Sequence, residues 1–321
     1  MLGGSTTIVP VSGGVEAAAD GHDDAAEFVG REGFNPKFLK AGAIETPWPG
    51  LPQAVRDGLA APSDSPKEPF EIRYTHFGVK YSATDKLPIM TAVNIDGAKS
   101  VRIKRENDKW FTDGRIKLEL QLGAANFKDL EIDRGHMVRR EDPNWGDATV
   151  AQQANDDTFH YVNAAAQHSR LNQGKTLWQG LENYILDSSR TYGFAACVFT
   201  GPVLGPADNI IDGARVPEEF WKVVVTLDES GKKLHATAYL LSQGQLIRDL
   251  MEKRSRVEAM EGVVLGEYRT FQIAIEDLAA ATEYDFSAYV EADPLRRPKG
   301  VEAADDGPRF VPLDDLSSIQ M

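Results

Sequence analysis

Ile132-Asp133-Arg134-Gly135-His136-Met137 is followed, twenty-seven residues after His136, by Asn163, then by Asn172-Gln173-Gly174 and Trp178-Gln179-Gly180-Leu181-Glu182. The first block closes a strand expected over Leu130 to Met137. The last runs into the clearest helical pattern in the chain, Lys175 to Tyr192. There Trp178, Leu181 and Ile185 recur at helical spacing and Gly193 follows as a stop. An imidazole titrates near neutrality, so His136 can take a proton from water and make a nucleophile. Arg134, two residues earlier, points to the same side of a strand and can pair with a phosphate through its fork of donors. Gly135 between them lets the backbone approach closely. Asn172 offers a neutral oxygen at a helix start, of the kind Mg²⁺ accepts while keeping several waters. A histidine base, an arginine and a sparsely held Mg²⁺ suffice for in-line attack on a phosphodiester. Each residue also has a structural reading: a bonded strand-end histidine, a turn, an N-cap at Asn172. The combination carries the weight.

Outward from this block, the chain reads as α+β, a mainly antiparallel sheet with flanking helices. Phe77, Val79 and Tyr81 alternate with polar or small residues as in a half-buried strand, and Ile89 to Ile95 forms a second. Asp96-Gly97 signals a hairpin into a strand over Val101 to Arg105. Ala148 to Ala154 is expected helical and Phe159 to Val162 extended. Phe194 to Phe199, Phe220 to Leu227 and Leu234 to Leu241 are further strands, the last two joined by Asp228-Glu229-Ser230-Gly231. Gln245 to Glu258 and Ile275 to Ala281 are expected helical. Residues 1–33 read as a flexible acidic arm, 34–292 as the folded domain and 293–321 as an acidic, disordered tail.

The 321 residues, 42% hydrophobic, exclude a disordered or collagenous chain. A single cysteine, Cys197, excludes an intramolecular disulfide and a cysteine-built zinc site; in its apolar strand it reads as a small buried hydrophobe. No run of eighteen apolar residues exists, so no membrane span is expected. Residues 1–30 carry no Lys or Arg and no continuous apolar core, so no secretory signal is read and a cytoplasmic location is expected, with signal-less export left open. The net charge of −14 argues against a polyanionic partner until its distribution is followed. Residues 1–30 and 301–321 together hold −9 of it, while Lys99 to Lys117 has seven bases against three acids. A basic strip lies on an acidic body.

These blocks resemble the DNA/RNA non-specific endonuclease family, the ββα-metal (His-Me finger) nucleases. The signature stands as Asp133-Arg134-Gly135-His136-Met137, the second block as Asn163, Asn172-Gln173-Gly174 and Trp178 to Glu182. Tyr74-Thr75-His76-Phe77, Thr91 to Gly97, Asp157 to Tyr161 and Thr200-Gly201-Pro202-Val203 fit as flanking text, over roughly residues 34 to 290. The resemblance implies an Mg²⁺-dependent endonuclease, with Mn²⁺ able to substitute, that cuts DNA and RNA and leaves 5′-phosphate ends. His136 is then the general base and Asn172 the direct metal ligand. Glu182 holds metal-bound water, Asn163 supports the site, Arg134 neutralises phosphate charge, and Arg105 (or Arg102) is the upstream arginine. A homodimer and an inhibitor or regulatory partner are compatible with the family. A catalytically silent or partner-activated nucleic-acid-binding module is the alternative. Lys175-Thr176-Leu177 stands where shorter members have one residue. Two extra residues within a continuous helix would turn Glu182 by about 200° relative to Asn172.

Smaller readings complete the survey. His168 and Arg170 are either substrate contacts or a solvated loop face. Arg139 and Arg140 either lengthen a phosphate track or are plain exposed bases. His76, His160 and His235 are read as core or edge residues, and Trp145 as a packing residue or a base-stacking one.

Overall fold

Apolar side chains alternate between the two faces of one sheet, and both faces are covered. The structure, a computed structural model, describes residues 21–39, 45–65, 69–105, 108–173, 177–206, 208–228, 230–248, 269–296 and 310–313. Its strands are β1 (Gly21–Asp23), β2 (Ile72–Tyr74), β3 (Phe77–Ser82), β4 (Leu87–Asp96), β5 (Phe111–Asp113), β6 (Ile132–His136), β7 (Ala164–His168), β8 (Ala195–Val203), β9 (Asn209–Ile211), β10 (Ala214–Val216), β11 (Glu219–Leu227), β12 (Leu234–Ser242), β13 (Arg269–Ile273) and β14 (Phe310–Pro312). The helices are α1 (Gln53–Asp57), α2 (Ala148–Asp157), α3 (Ser169–Gln173), α4 (Leu177–Tyr192), α5 (Ile275–Thr282) and α6 (Ser287–Val290). Among the described residues, eight strands form one antiparallel sheet in the order β14-β13-β12-β11-β8-β4-β3-β2. The α+β class with a mainly antiparallel sheet is as expected. No helix among the described residues is long and apolar enough to cross a membrane.

Phe77, Val79, Tyr81, Phe220 and Val224 face a core that also takes Val138, Val162, Ala165, Leu181 and Ile185. Met90, Phe199, Trp221 and Val223 face the opposite core, closed by Phe34, Ile275, Leu278 and Phe286. Strand β3 is therefore buried along its whole length, where alternation alone suggested a wet face. Polar groups within the core can pair: Cys197 Sγ accepts from Thr46 Oγ1 and Asn94 Nδ2, each at 3.3 Å. Burial pushes that thiol up to about 12, and the two hydrogen bonds oppose the rise.

Several local expectations change. After Asp96 the chain makes a 3₁₀ turn over Gly97–Lys99 and then runs irregularly through Val101 to Arg105. The cause is packing: a side chain at position 97 would strike the backbone of Ser189 in α4, so Gly97 marks a close approach. Tyr161–Asn163 is also a 3₁₀ turn, and the strand comes after it, at β7. Ala164-Ala165-Ala166 carries little strand propensity. It forms a strand because Ala165 packs into the first core while Ala164 and Ala166 pack around Trp110 and Tyr161, leaving room only for methyl groups. The helix expected over Gln245 to Glu258 lies largely outside the described residues.

The described part of the expected arm, Gly21 to Gly33, is docked. Strand β1 pairs in parallel with β5, and Phe28 lies edge-on to Tyr74 (5.6 Å) and His160 (5.1 Å), under the Arg115 guanidinium at 3.8 Å. Arg31 bonds both oxygens of buried Asp157 at 3.0 to 3.3 Å. At the other end β14 extends the sheet by pairing with β13, within the segment expected as tail. A ring 3% exposed anchors the N-terminal strap. Phe28→Ala should lower unfolding free energy by about 3–5 kcal/mol, measured by urea denaturation. An unchanged midpoint would show that the strap is not part of the cooperative unit.

Candidate active site

Strands β6 and β7 pair with Arg134 opposite Ala166, Gly135 opposite Ala165 and His136 opposite Ala164. The pleat puts Arg134 and His136 on one face, where Trp110 lies. Its indole is 4.6 Å from the His136 imidazole and 5.7 Å from the Arg134 guanidinium. Phe159 meets the imidazole edge-on at 4.9 Å. On the other face the Gln167 side chain lies against Gly135, where a Cβ would collide with it. Gly135 thus answers to a neighbouring side chain, not to a left-handed backbone.

The chain just past His136 is clamped by Asn163. Its backbone oxygen accepts from Met137 N (2.9 Å) and its Oδ1 from Val138 N (2.9 Å). Its Nδ2 donates to Val138 O and Thr158 O, both at 3.0 Å. Asn163 is fully buried and so works on the backbone that presents the imidazole. His136 Nε2 is buried and has no hydrogen-bond partner. Burial draws the imidazole down to about 3, and Arg105, Arg140 and Arg134 push the same way while Asp108 opposes them. At neutral pH the ring is uncharged, beside three guanidinium groups.

Of the two upstream arginines, Arg105 is the one whose charge acts on His136. Its Nε bonds both oxygens of Asp108 at 3.1 Å. Arg140 Nη1 donates to Ile103 O (3.2 Å) and Asn155 Oδ1 (3.0 Å), and its Nη2 to Glu141 Oε1 (2.8 Å). Arg139 Nη2 reaches Asn183 Oδ1 on α4 at 2.6 Å. The paired bases after the signature are therefore built into the fold around the site.

Glu182, in α4, meets the ammonium of Lys222 at 3.3 Å. Lys222 rises from β11, is 2% exposed, and also donates to Thr200 Oγ1 at 3.1 Å. Close by is Asp142, 6% exposed; burial raises its carboxyl to about 6, Arg139 and Lys222 lower it, and Glu182 and Glu141 raise it further. Asn172 stands in α3, which follows β7 directly and packs on both β6 and β7. Its side chain and residues 174–176 lie outside the described part. Helix α4 is described from Leu177, the last of the extra residues, and carries Glu182 in its second turn.

The remaining candidates are used internally. Trp145 stacks on His76 at 3.4 Å with 9° between planes, and its Nε1 donates to Asn94 O, so its ring face is taken. His160 bridges Asp157 O (2.9 Å) and Asp23 Oδ2 (3.0 Å). His168 is buried at the end of β7, its Nδ1 accepting from Arg170 N at 3.2 Å, while Arg170 is exposed. Sequence reasoning missed Trp110, Phe159, Asp108, Lys222 and Asp142. Only the Lys99-to-Lys117 basic strip, within which Trp110 falls, gave any hint of the first.

The model of the DNA/RNA non-specific endonuclease family matches residues 58–293. The chain belongs to that family. Within it, the uncharacterized protein y4fB of Sinorhizobium fredii (strain NBRC 101917 / NGR234) is 40% identical over 236 residues, covering 71% of this chain. The chain spans about a third of that relative's length, 35%. The crystal structure of the EndoG/EndoGI complex, described as showing the mechanism of EndoG inhibition, superposes with a TM-score of 0.53 at 18% identity, over 78% of this chain and 89% of that one. At that identity the likeness is one of fold.

Among the described residues no group of three or more His, Cys, Asp or Glu is arranged to hold a metal ion. The donors a family cation would meet, the Asn172 amide and the Glu182 carboxylate, are hard oxygens of the kind Mg²⁺ takes. His136 Nε2, at the end of β6, is the buried polar atom there that has no hydrogen-bond partner. Lys222→Met would leave buried Asp142 and partly buried Glu182 without their ammonium. It should cost about 3 kcal/mol at pH 7. The loss should shrink toward pH 5, because the unpaired carboxyls then take up protons in the fold. Urea denaturation at both pH values checks it; an equal loss at each would assign the effect to packing.

Proposed function

We propose that this chain is an Mg²⁺-dependent endonuclease that hydrolyses DNA and RNA phosphodiesters with low sequence specificity. The observation that carries it is the His136 imidazole, packed against Trp110 and Phe159 with an unpartnered buried nitrogen, near Arg105, Arg134 and Arg140. His136 accepts a proton from water, the water oxygen bonds to phosphorus, and the bond from phosphorus to the 3′ oxygen breaks, the leaving oxygen taking a proton from solvent. The products carry 5′-phosphate and 3′-hydroxyl ends. The arginines balance phosphate charge, and Asn163 fixes the backbone that carries the base. Asn172 would hold the cation directly and Glu182 through water. Bound there, Mg²⁺ (or Mn²⁺) supplies Lewis-acid stabilisation of the charge that develops on the phosphoryl oxygens. Contacts made to phosphate and sugar carry no sequence information, which accounts for low specificity.

Three nearby cations and burial make the imidazole a poor proton acceptor in the free protein. An incoming phosphate anion offsets that field, so base strength rises when substrate is present. The related EndoG is held by an inhibitor in its complex, and restraint by a partner protein belongs to the same proposal for this chain.

Two outcomes test the reading on plasmid DNA and RNA, with Mg²⁺ and with EDTA. His136→Ala should lower the Mg²⁺-dependent rate at least about a hundredfold while nucleic-acid binding and the unfolding midpoint hold. Wild-type rates in that variant would remove His136 from the chemistry. The lowered imidazole leaves the base form present well below neutrality, so the acid limb of kcat/KM should fall below about pH 5. An acid limb centred near 6.5, the ordinary histidine value, would show that the ring is not held uncharged by the fold.

A further inference from the structure

A cavity of about 910 Å³ opens beside the candidate active site. Arg105, Asp108 and Arg140 line it and also act on the His136 imidazole, and Phe159, which touches that imidazole, forms part of its wall. His136 is one ring's width away. The Arg140 guanidinium spans the floor, bonded to Ile103 O on one side and Asn155 Oδ1 of α2 on the other.

The charges along the two sides differ once internal pairs are set apart. Arg105 is paired with Asp108, Arg31 with Asp157, Arg140 with Glu141, and Asp23 with His160. Of the charged lining groups, that leaves exposed Lys104 and Lys109 on the loop side, and exposed Glu27 and Asp156 on the side of the strap and α2. A nucleotide has matching ends: a phosphate for the ammonium groups and, in cytosine and adenine, an exocyclic amine for the carboxylates. Thymine and uracil lack that amine.

We propose that this cavity is a subsite for a nucleotide of the substrate strand next to the scissile phosphate, and that it favours bases bearing an exocyclic amine. The subsite rests on the nuclease reading above and adds to it a base preference that contacts to phosphate alone would not produce. The volume lies within the range of small-molecule sites, and its walls offer ammonium groups to a phosphate and carboxylates to a hydrogen-bond-donating amine.

The test compares kcat/KM on oligo(dC) and oligo(dT) octanucleotides with hydrolysis of bis(p-nitrophenyl) phosphate, a diester too small to reach the cavity. Wild-type protein should prefer oligo(dC) by about fivefold to tenfold. Thr149, exposed in the first turn of α2 at the rim, provides a plug. Thr149→Trp should bring oligo(dC) down to the oligo(dT) rate and leave the small diester untouched. Glu27→Gln/Asp156→Asn should move the dC-to-dT ratio toward one. Equal wild-type rates on the two oligonucleotides, or a preference that survives both variants, would overturn the subsite while hydrolysis of the small diester kept the nuclease reading intact. Absence of His136-dependent hydrolysis on every substrate would instead sink the nuclease reading, and the subsite with it.

Discussion

The ladder between β6 and β7, locked at its end by Asn163 bonding both the N–H and the C=O of Val138, sets where His136 can be. That pair is covered on both faces, by the first sheet core on one side and by the Trp110 cluster on the other. Only thin residues allow this, hence Gly135 and the three alanines from 164 to 166. The same packing that fixes the imidazole lowers its affinity for a proton. Position and protonation state therefore have one cause.

Two kinds of charge lie around this unit and they behave differently. Arg105, Arg134 and Arg140 sit near the surface, where a polyanion can meet them. Lys222 is sealed beneath α4 and spends its charge on Glu182 and, through space, on Asp142. A chain of net charge −14 can therefore show a positive face locally, because its acids are concentrated near the ends of the sequence and in internal pairs. The formal total says little about the groove.

Much of this was legible because it was local. The Asp133 to His136 signature, the α4 pattern and the alternating strands each declare themselves within a few residues, as did the antiparallel sheet class. The strand β7 did not, since alanines have no preference for it and only the aromatic cluster makes them extended. Trp110, Phe159 and Lys222 were invisible for another reason: they reach the site from 26, 23 and 86 positions away from His136, and nothing in a single sequence pairs them. The strap was misjudged because Gly, Ala and Asp suggest a loose arm, while two residues, Phe28 and Arg31, supply its anchors.

That strap has a consequence for how the molecule is made. Gly21 to Arg31 is synthesised before its partners at Phe111, Asp157 and His160, which follow some ninety to one hundred and forty residues later. Contacts so far apart in the chain are slow to form. One lip of the cavity beside His136 is thus held by contacts that span ninety residues or more of the chain.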